Sequence, residues 1–272
     1  MSTGTQLVTG GTGTTGRRVV ARLQARGVPV RGAARSTGFD WERPATWDAA
    51  LAGVTGVYLA YAPDLAVPGA DAVVGQFTAR AAAAGVQRVV LLSGRGEPGA
   101  EAAERAVLGT AGVRATVLRC SWFAQNFTEG QFAGAVRSGE LALPVGDVAE
   151  PFLDADDIAD AAVAVLLGDG PDGVVHELTG PRALTFGAVT DEIAAALGRP
   201  VVFRSVTAAE FRAGLAADGV PAEVADLLVQ LFTEVLDGRN ARTTDGVARL
   251  LGRPAREVTD HLRAGAAAGA WS

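Results

Sequence analysis

The sequence contains no lysine; all 24 of its cationic side chains are arginine. Among 272 residues there are one cysteine (Cys120), two histidines and two tyrosines. A single cysteine excludes an intramolecular disulfide framework and a cysteine-rich metal site. His176 and His261 are far apart in sequence, which argues against a histidine-based metal centre, so no metal is expected. No charged-then-apolar leader is evident, and the longest apolar runs, such as AAVAVLL at 161–167, fall far short of a membrane span. The expectation is a cytoplasmic protein that meets no membrane. Acidic residues outnumber basic ones, with a formal net charge of −6, which disfavours a general nucleic-acid surface.

Positive charge is local instead. Residues 7–35, LVTGGTGTTGRRVVARLQARGVPVRGAAR, hold six arginines and no acidic residue. Leu7 to Thr9 read as the end of a buried strand, and Val19, Val20 and Leu23 carry a helical spacing over 17–26. The intervening turn contains two overlapping dinucleotide fingerprints: Gly10, Gly13 and Gly16 fit G-x-x-G-x-x-G, whereas Gly11, Gly13 and Gly16 fit G-x-G-x-x-G. Glycine there permits a tight turn, lets a pyrophosphate approach the backbone and lets the helix pack closely on the strand. The helix start, with its free amides and its dipole, then attracts phosphate. A second strand over 28–34 completes the β-α-β unit that the motif requires.

An NAD-preferring site usually places Asp or Glu about 20 residues beyond the glycines to bind the ribose hydroxyls. Here the second strand ends at Ala34 and Arg35, and the first acidic residue is Asp40. A carboxylate at position 35 would repel a 2′-phosphate, while a guanidinium can bind it bidentately. NADP(H) is the better fit; the alternative is that Arg35 is a solvated loop residue.

Apolar runs at 6–9, 28–34, 56–60, 88–92 and 114–119 alternate with helix-length segments, which implies a doubly wound parallel sheet of the Rossmann class. Residues 40–53 are expected to lead from a short strand into a helix. Asp156 and Asp157 should sit at a helix start, where they favour the dipole. Residues 173–181 read as a further strand, 184–206 as a helix and a returning strand, and Leu227, Leu228, Leu231, Phe232 and Val235 as one buried helical face. We expect residues 1–272 to form a single unit, in which 1–150 make mainly the cofactor-binding core and 151–272 mainly a small C-terminal α/β substrate lobe with returning sheet strands.

The stretches TGGTGTTG (9–16), ARS (34–36), FDWERPATWDAAL (39–51), VYLAYAP (57–63), LLSGRGEPGAEAAE (91–104), LRCSWFAQNF (118–127), PFLDADDIAD (151–160) and LTGPRALTF (178–186) together resemble NmrA-like atypical short-chain dehydrogenases/reductases. FDW and WFAQNF are also similar to the branch that contains the ergot-alkaloid reductases. The resemblance spans nearly the whole chain. It implies a Rossmann domain with a smaller substrate lobe and use of NADP(H). The expected cofactor contacts are Gly10, Thr12, Gly13, Thr14, Thr15, Gly16, Arg35, Asp40, Trp41, Ala60, Tyr61 and Ser93. The ordinary Tyr-x-x-x-Lys pair of short-chain dehydrogenases is absent, because the only tyrosines are Tyr58 and Tyr61 and there is no lysine.

Ser93 stands at the end of its strand, where the family's serine is expected, and Tyr61 follows the strand over 56–60; these two are the catalytic candidates. Tyr61 could equally be an aromatic packed under the lobe. Trp122, Phe123 and Asn126 are the expected substrate contacts, an aromatic wall with one polar anchor. The alternatives are core packing for the two rings and a helix cap for Asn126. Cys120 reads as a small buried residue and His176 as a structural histidine. The leading expectation is an NADPH-dependent reductase acting on an electron-poor C=N, C=C or quinone group of an apolar, small aromatic or polycyclic metabolite. A regulator that senses NADP(H) without turnover and a non-redox enzyme on the same fold are the other readings. The sequence assigns neither the substrate nor the oligomeric state.

Overall fold

Residues 4–272 are described in the computed structural model of the chain. The expected first domain, written from residue 1, therefore begins here at Gly4, and residues 1–3 lie outside the described residues. In chain order the first elements are β1 (Thr5–Thr9), α1 (Thr14–Ala25), β2 (Val30–Ala33), α2 (Trp47–Leu51), β3 (Val54–Leu59), α3 (Ala70–Ala83), β4 (Arg88–Gly94), α4 (Pro98–Leu108) and β5 (Arg114–Cys120). There follow α5 (Ala133–Ser138), β6 (Glu140–Leu143), β7 (Ala149–Glu150), α6 (Ala155–Leu167), β8 (Val175–Leu178), β9 (Leu184–Thr185), α7 (Phe186–Leu197) and β10 (Val202–Ser205). The chain ends with α8 (Ala208–Ala217), α9 (Ala222–Gln230), α10 (Gly246–Leu251) and α11 (Val258–Ala267).

The chain forms two compact units. One comprises Met1–Cys120, Ala155–Leu178 and Asp245–Pro254; the other comprises Ser121–Asp154, Thr179–Thr244 and Ala255–Ser272. The first unit holds a six-stranded parallel sheet in the order β2-β1-β3-β4-β5-β8. Its strands are runs of Val and Leu because both faces are covered, as an all-parallel sheet requires. On one face Leu7, Val57, Leu59, Val89, Leu91 and Val117 pack with Val74, Phe77, Ala103 and Val107 of α3 and α4. The strand order reverses between β1 and β3, and in open α/β sheets ligands bind at the carboxyl ends of the strands at such a switch point.

Among the described residues no strand lies between β2 and α2, so residues 40–53 do not open on the short strand expected there. After β2 the chain makes a 3-10 turn, Arg35–Thr37, in which the Ala34 amide donates to Thr37 Oγ1 at 2.9 Å and Gly38 takes φ +85°. That local side-chain bond offers the backbone an alternative to a sheet ladder. The run AAVAVLL belongs to α6, a 13-residue helix buried on nearly every side, and no helix among the described residues is long and apolar enough to cross a membrane.

The second unit holds two small sheets, β6 with β10 in parallel and β7 with β9 antiparallel. Its core gathers Phe127, Phe132, Phe152, Phe186 and Phe232 with Leu141, Leu143, Ile193, Leu262 and Trp271. The buried face expected over 227–235 is narrower than its spacing suggests. Ala225, Phe232, Val235 and Leu236 are buried, but Leu227, Leu228 and Leu231 are only half-buried. The reason is that Leu228 borders a cavity and not a packed neighbour.

Candidate functional site

The glycine turn of the first unit joins β1 to α1. Gly10 takes φ +62°, in the left-handed region that favours glycine. At Gly16 a Cβ would overlap the Gly10 carbonyl, so the helix can approach the strand this closely only without a side chain there. Gly13 differs. Its φ is −79°, it is exposed, and a Cβ would meet only the Gly10 carbonyl oxygen, at 3.3 Å.

Gly13 is the N-cap of α1, whose first turn has no acidic residue, and the first amides of a helix have no intrahelical acceptor. Of the turn's threonines, Thr12 is exposed and Thr14 half-buried. Thr15 is turned inward and buried, beneath the helix.

The six arginines of this region divide by partner. Arg22 donates to Asp156 at 2.6 Å and to Asp160 at 2.5 Å, and Arg18 meets Asp156 at 3.5 Å. Arg31 donates to the carbonyls of Ala49, Ala50 and Ala52 at the end of α2. Two of the cations therefore hold α6 and a third closes a helix terminus. The same contacts revise the reading of the acidic start of α6: Asp156 and Asp157 do lie in its first turn, but Asp157 also meets Arg253 at 2.8 Å and is fully buried.

Arg35 is exposed, one residue past Ala34, in the turn beyond β2. It lies close in sequence to Ala33, whose carbonyl accepts the Gly11 amide at 3.2 Å. The Asp40 carboxylate accepts from the Glu42 amide and from Arg43, which hold it below the usual carboxylate range with a small further contribution from Arg35.

At the carboxyl end of the sheet, Thr9 Oγ1 accepts the Ala60 amide at 2.8 Å and donates to the Ala60 carbonyl at 3.0 Å. Tyr61 follows, half-buried, its ring 5.1 Å from that of Trp41. Trp41 itself packs on Phe39, Trp47 and Phe77. Burial, and then the Glu42 charge, push the Tyr61 phenol up. Ser93 is buried in β4, in register with Arg119 of β5, and its hydroxyl donates to Glu104 at 2.6 Å. Glu104 is also ion-paired with Arg119, so the Ser93 proton is committed to a carboxylate of the interior.

Cys120 is buried, and burial pushes its thiol up, as suits a packed residue and not a nucleophile. His176 lies in β8, where burial lowers its pKa first, then the Arg249 charge. Among the described residues no group of His, Cys, Asp and Glu could hold a metal.

In the second unit Trp122 is half-buried against Phe132, Phe186 and Phe232, stacked on Phe132 at 6.3 Å and 11°. Phe132 and Phe232 also line a cavity of about 540 Å³, together with Phe211, Leu215, Leu228 and Leu143. A volume of this size is that of a small-molecule site. Its rim carries Arg204, Glu140, Glu210 and Asp218.

Trp122 thus stands one layer behind the aromatic surface of the cavity. Phe123 is outside the ring cluster and instead bridges to Leu153. Asn126 lies inside the 3-10 turn Ala124–Phe127, and the N-cap there is Phe123, so Asn126 is not a helix cap. The cavity residues Phe211 and Leu215, and Leu228 and Phe232, recur four apart on single faces; the same spacing is also that of ordinary core, which is why the sequence marks Leu228 and Phe232 as a buried face and not as a cavity wall.

No family model matches the chain. Among known proteins it is 31% identical to the NAD(P)H azoreductase of Xenophilus azovorans, over 96% of this chain and 98% of that one. It is 30% identical to the agroclavine dehydrogenase of Claviceps fusiformis, over 95% and 96% respectively. A solved structure of the triphenylmethane reductase of a Citrobacter species, in complex with NADP(H), superposes with a TM-score of 0.78 at 21% identity and covers 96% of this chain and 99% of that chain. With two relatives at this identity along nearly its full length, and with a glycine turn between β1 and α1 of a parallel sheet, the chain belongs to the NmrA-like atypical short-chain dehydrogenase/reductase family.

Proposed function

We propose that the protein is an NADPH-dependent reductase that passes hydride to an electron-poor C=N, C=C or quinone group of an apolar aromatic or polycyclic metabolite. The observation that carries this reading is the glycine turn between β1 and α1, which leaves the first amides of α1 open beside the exposed Gly13. The left-handed φ accounts for glycine at position 10 and close packing for glycine at 16, whereas Gly13 is exposed at the helix start and a Cβ there would be tight, without overlap, at 3.3 Å from the Gly10 carbonyl oxygen. Glycine there relieves that contact and also lets a pyrophosphate come close to the free amides at the start of α1. The similarity to an NAD(P)H azoreductase supports the same cofactor class.

The residues present fit that cofactor. Gly10, Thr12, Gly13, Thr14 and Gly16 would cradle the pyrophosphate, with Thr15 supporting the turn from beneath. Arg35 would take the 2′-phosphate, its guanidinium exposed beyond β2. Asp40 and Trp41 would shape the adenosine side, and Ala60 and Tyr61 would run along the cofactor from the end of β3. When bound, NADPH supplies the hydride. The chain's own residues bind and orient it and exclude water from the reacting atoms.

On the substrate side, the rings of Phe132, Phe211 and Phe232 offer flat apolar surface, and Trp122, Phe123 and Asn126 would shape the wall behind them. Tyr61 would orient the substrate. Ser93 is a positioning residue that acts through Glu104 and Arg119. The test is calorimetric titration of NADPH and NADH, followed by NADPH oxidation against a panel of quinones and cyclic iminium salts. NADPH binding tighter than NADH, with acceptor-dependent oxidation, supports the reading, and equal cofactor affinities with no acceptor reduced would overturn it.

A further inference from the structure

Glu97 immediately precedes α4 and stands three residues after Gly94, the last residue of β4. Its carboxyl folds back over that strand end so closely that a Cβ on Gly94 would overlap it. The start of α4 also abuts the loop that follows β3, because a Cβ on Gly99 would lie 2.8 Å from the Ala66 backbone. In that loop Asp64 Oδ1 accepts the Ala66 amide at 2.8 Å. Two carboxyls therefore stand at the carboxyl ends of neighbouring parallel strands, where an open α/β sheet binds its ligands.

The acids here have different partners. Glu104, within α4, is ion-paired with Arg119 and accepts from the Ser93 hydroxyl. Among the described residues no cation or hydrogen-bond donor meets the Glu97 carboxyl. Burial, then the charge of Asp64, then that of Glu104 push it up to about 8, and burial also raises Asp64. A half-buried carboxyl crowded by two other acids holds its proton to higher pH than a free one, as an acid catalyst needs.

We propose that Glu97 is the proton donor for the reduction, with Asp64 as the neighbouring charge that keeps that proton in place. The inference rests on the reductase reading above. For a quinone the step balances as follows: hydride, carrying two electrons, leaves NADPH for the substrate, and the Glu97 proton goes to the oxygen that becomes negative. The products are the hydroquinone, NADP⁺ and the Glu97 carboxylate: the hydride becomes one of the two hydrogens gained, reaching oxygen directly or by tautomerisation after addition at carbon, Glu97 supplies the other, and Glu97 is then reprotonated from solvent. An iminium ion needs no such proton, because hydride addition at carbon neutralises the nitrogen.

Two measurements test this. Infrared spectra of the cofactor-free protein at neutral pH should show a protonated carboxyl band that disappears in Glu97→Gln, with circular dichroism confirming the fold. In steady-state kinetics Glu97→Gln should slow reduction of a naphthoquinone by about a hundredfold or more, the usual scale for a lost acid. Reduction of an N-methyl dihydroisoquinolinium salt should fall by about tenfold or less, and Glu97→Asp, which keeps an acid, should recover part of the quinone rate. An ionised Glu97 in the spectrum, or equal losses with both acceptors, overturns proton donation alone. If the unsubstituted protein oxidises NADPH with neither acceptor, the reductase reading falls and this inference with it.

Discussion

Thr9 Oγ1 and the backbone of Ala60 exchange two hydrogen bonds, accepting the amide at 2.8 Å and donating to the carbonyl at 3.0 Å. The last residue of β1 is thereby clasped to the first residue beyond β3, at the point where the strand order reverses. Thr9 is fully buried, so Thr9→Val keeps the volume and leaves the Ala60 amide without that acceptor. The expected loss is about 1–3 kcal/mol, read from urea unfolding, together with weaker cofactor binding as the segment leading to Tyr61 loosens.

The two glycines of the turn should separate fold from ligand. Gly16→Ala places a methyl against the Gly10 carbonyl, which belongs to the backbone and cannot swing aside, so a stability loss of about 1–3 kcal/mol is expected. Gly13→Val, whose Cβ would be tight against the Gly10 carbonyl oxygen without overlapping it, should cost less stability than Gly16→Ala and abolish NADPH binding. Parallel unfolding and calorimetry on both variants check the contrast; NADPH binding by Gly13→Val would place the phosphates elsewhere.

Among the arginines, Arg35→Ala should lower NADPH affinity by about ten- to a hundredfold, equivalent to roughly 1.5–3 kcal/mol, while NADH affinity changes little. Arg22→Ala should do the reverse. It removes the partner of Asp156 and Asp160 and shows itself in stability and not in cofactor preference.

The carboxyl of Glu97 ties stability to pH. Its folded-state pKa is raised from an ordinary carboxylate value to about 8, so the folded protein binds more protons than the unfolded chain between those two values. Stability from this group is complete below the unfolded pKa and is lost as pH rises through the folded one. Glu97→Gln should therefore flatten the decline in unfolding free energy between about pH 5 and pH 9, measured by denaturant titration across that range.

In the aromatic cavity, Phe211 is half-buried and faces open space, whereas Phe232 is buried in the core. Phe211→Ala should raise KM for an aromatic substrate with little loss of stability. Phe232→Ala should cost about 3–5 kcal/mol, and Trp122→Ala should weaken substrate binding through the rings that it supports. Neither Phe211→Ala nor Trp122→Ala should alter NADPH affinity.

What could be read from the sequence was what repeats locally. Strand runs such as 88–92 and the glycine turn announced the parallel sheet, because buried strands and a phosphate-type turn leave marks within a few residues. Partners distant in the chain left no such mark. Nothing near Arg22 says that Asp156 and Asp160, more than 130 residues away, will neutralise it. Nothing near Ser93 says that its proton will go to Glu104, nor that Glu97 will fold over Gly94 beside Asp64. Carboxyl perturbation of that kind is a property of enclosure, and enclosure exists only once the strands are side by side. The aromatic surface was half legible: WFAQNF marked the neighbourhood, but the rings that border the cavity come from α5's approach, α8 and the turn after α9.

Asp157, fully buried in the first turn of α6, has its cationic partner Arg253 almost a hundred residues later, within the last segment of the first unit. On a ribosome that ion pair cannot form until the whole intervening stretch has been made. The first unit, although it is the first to begin, is therefore completed only once Arg253 has been made, and a chain truncated before that point lacks the ion pair that ties its last segment to the first turn of α6.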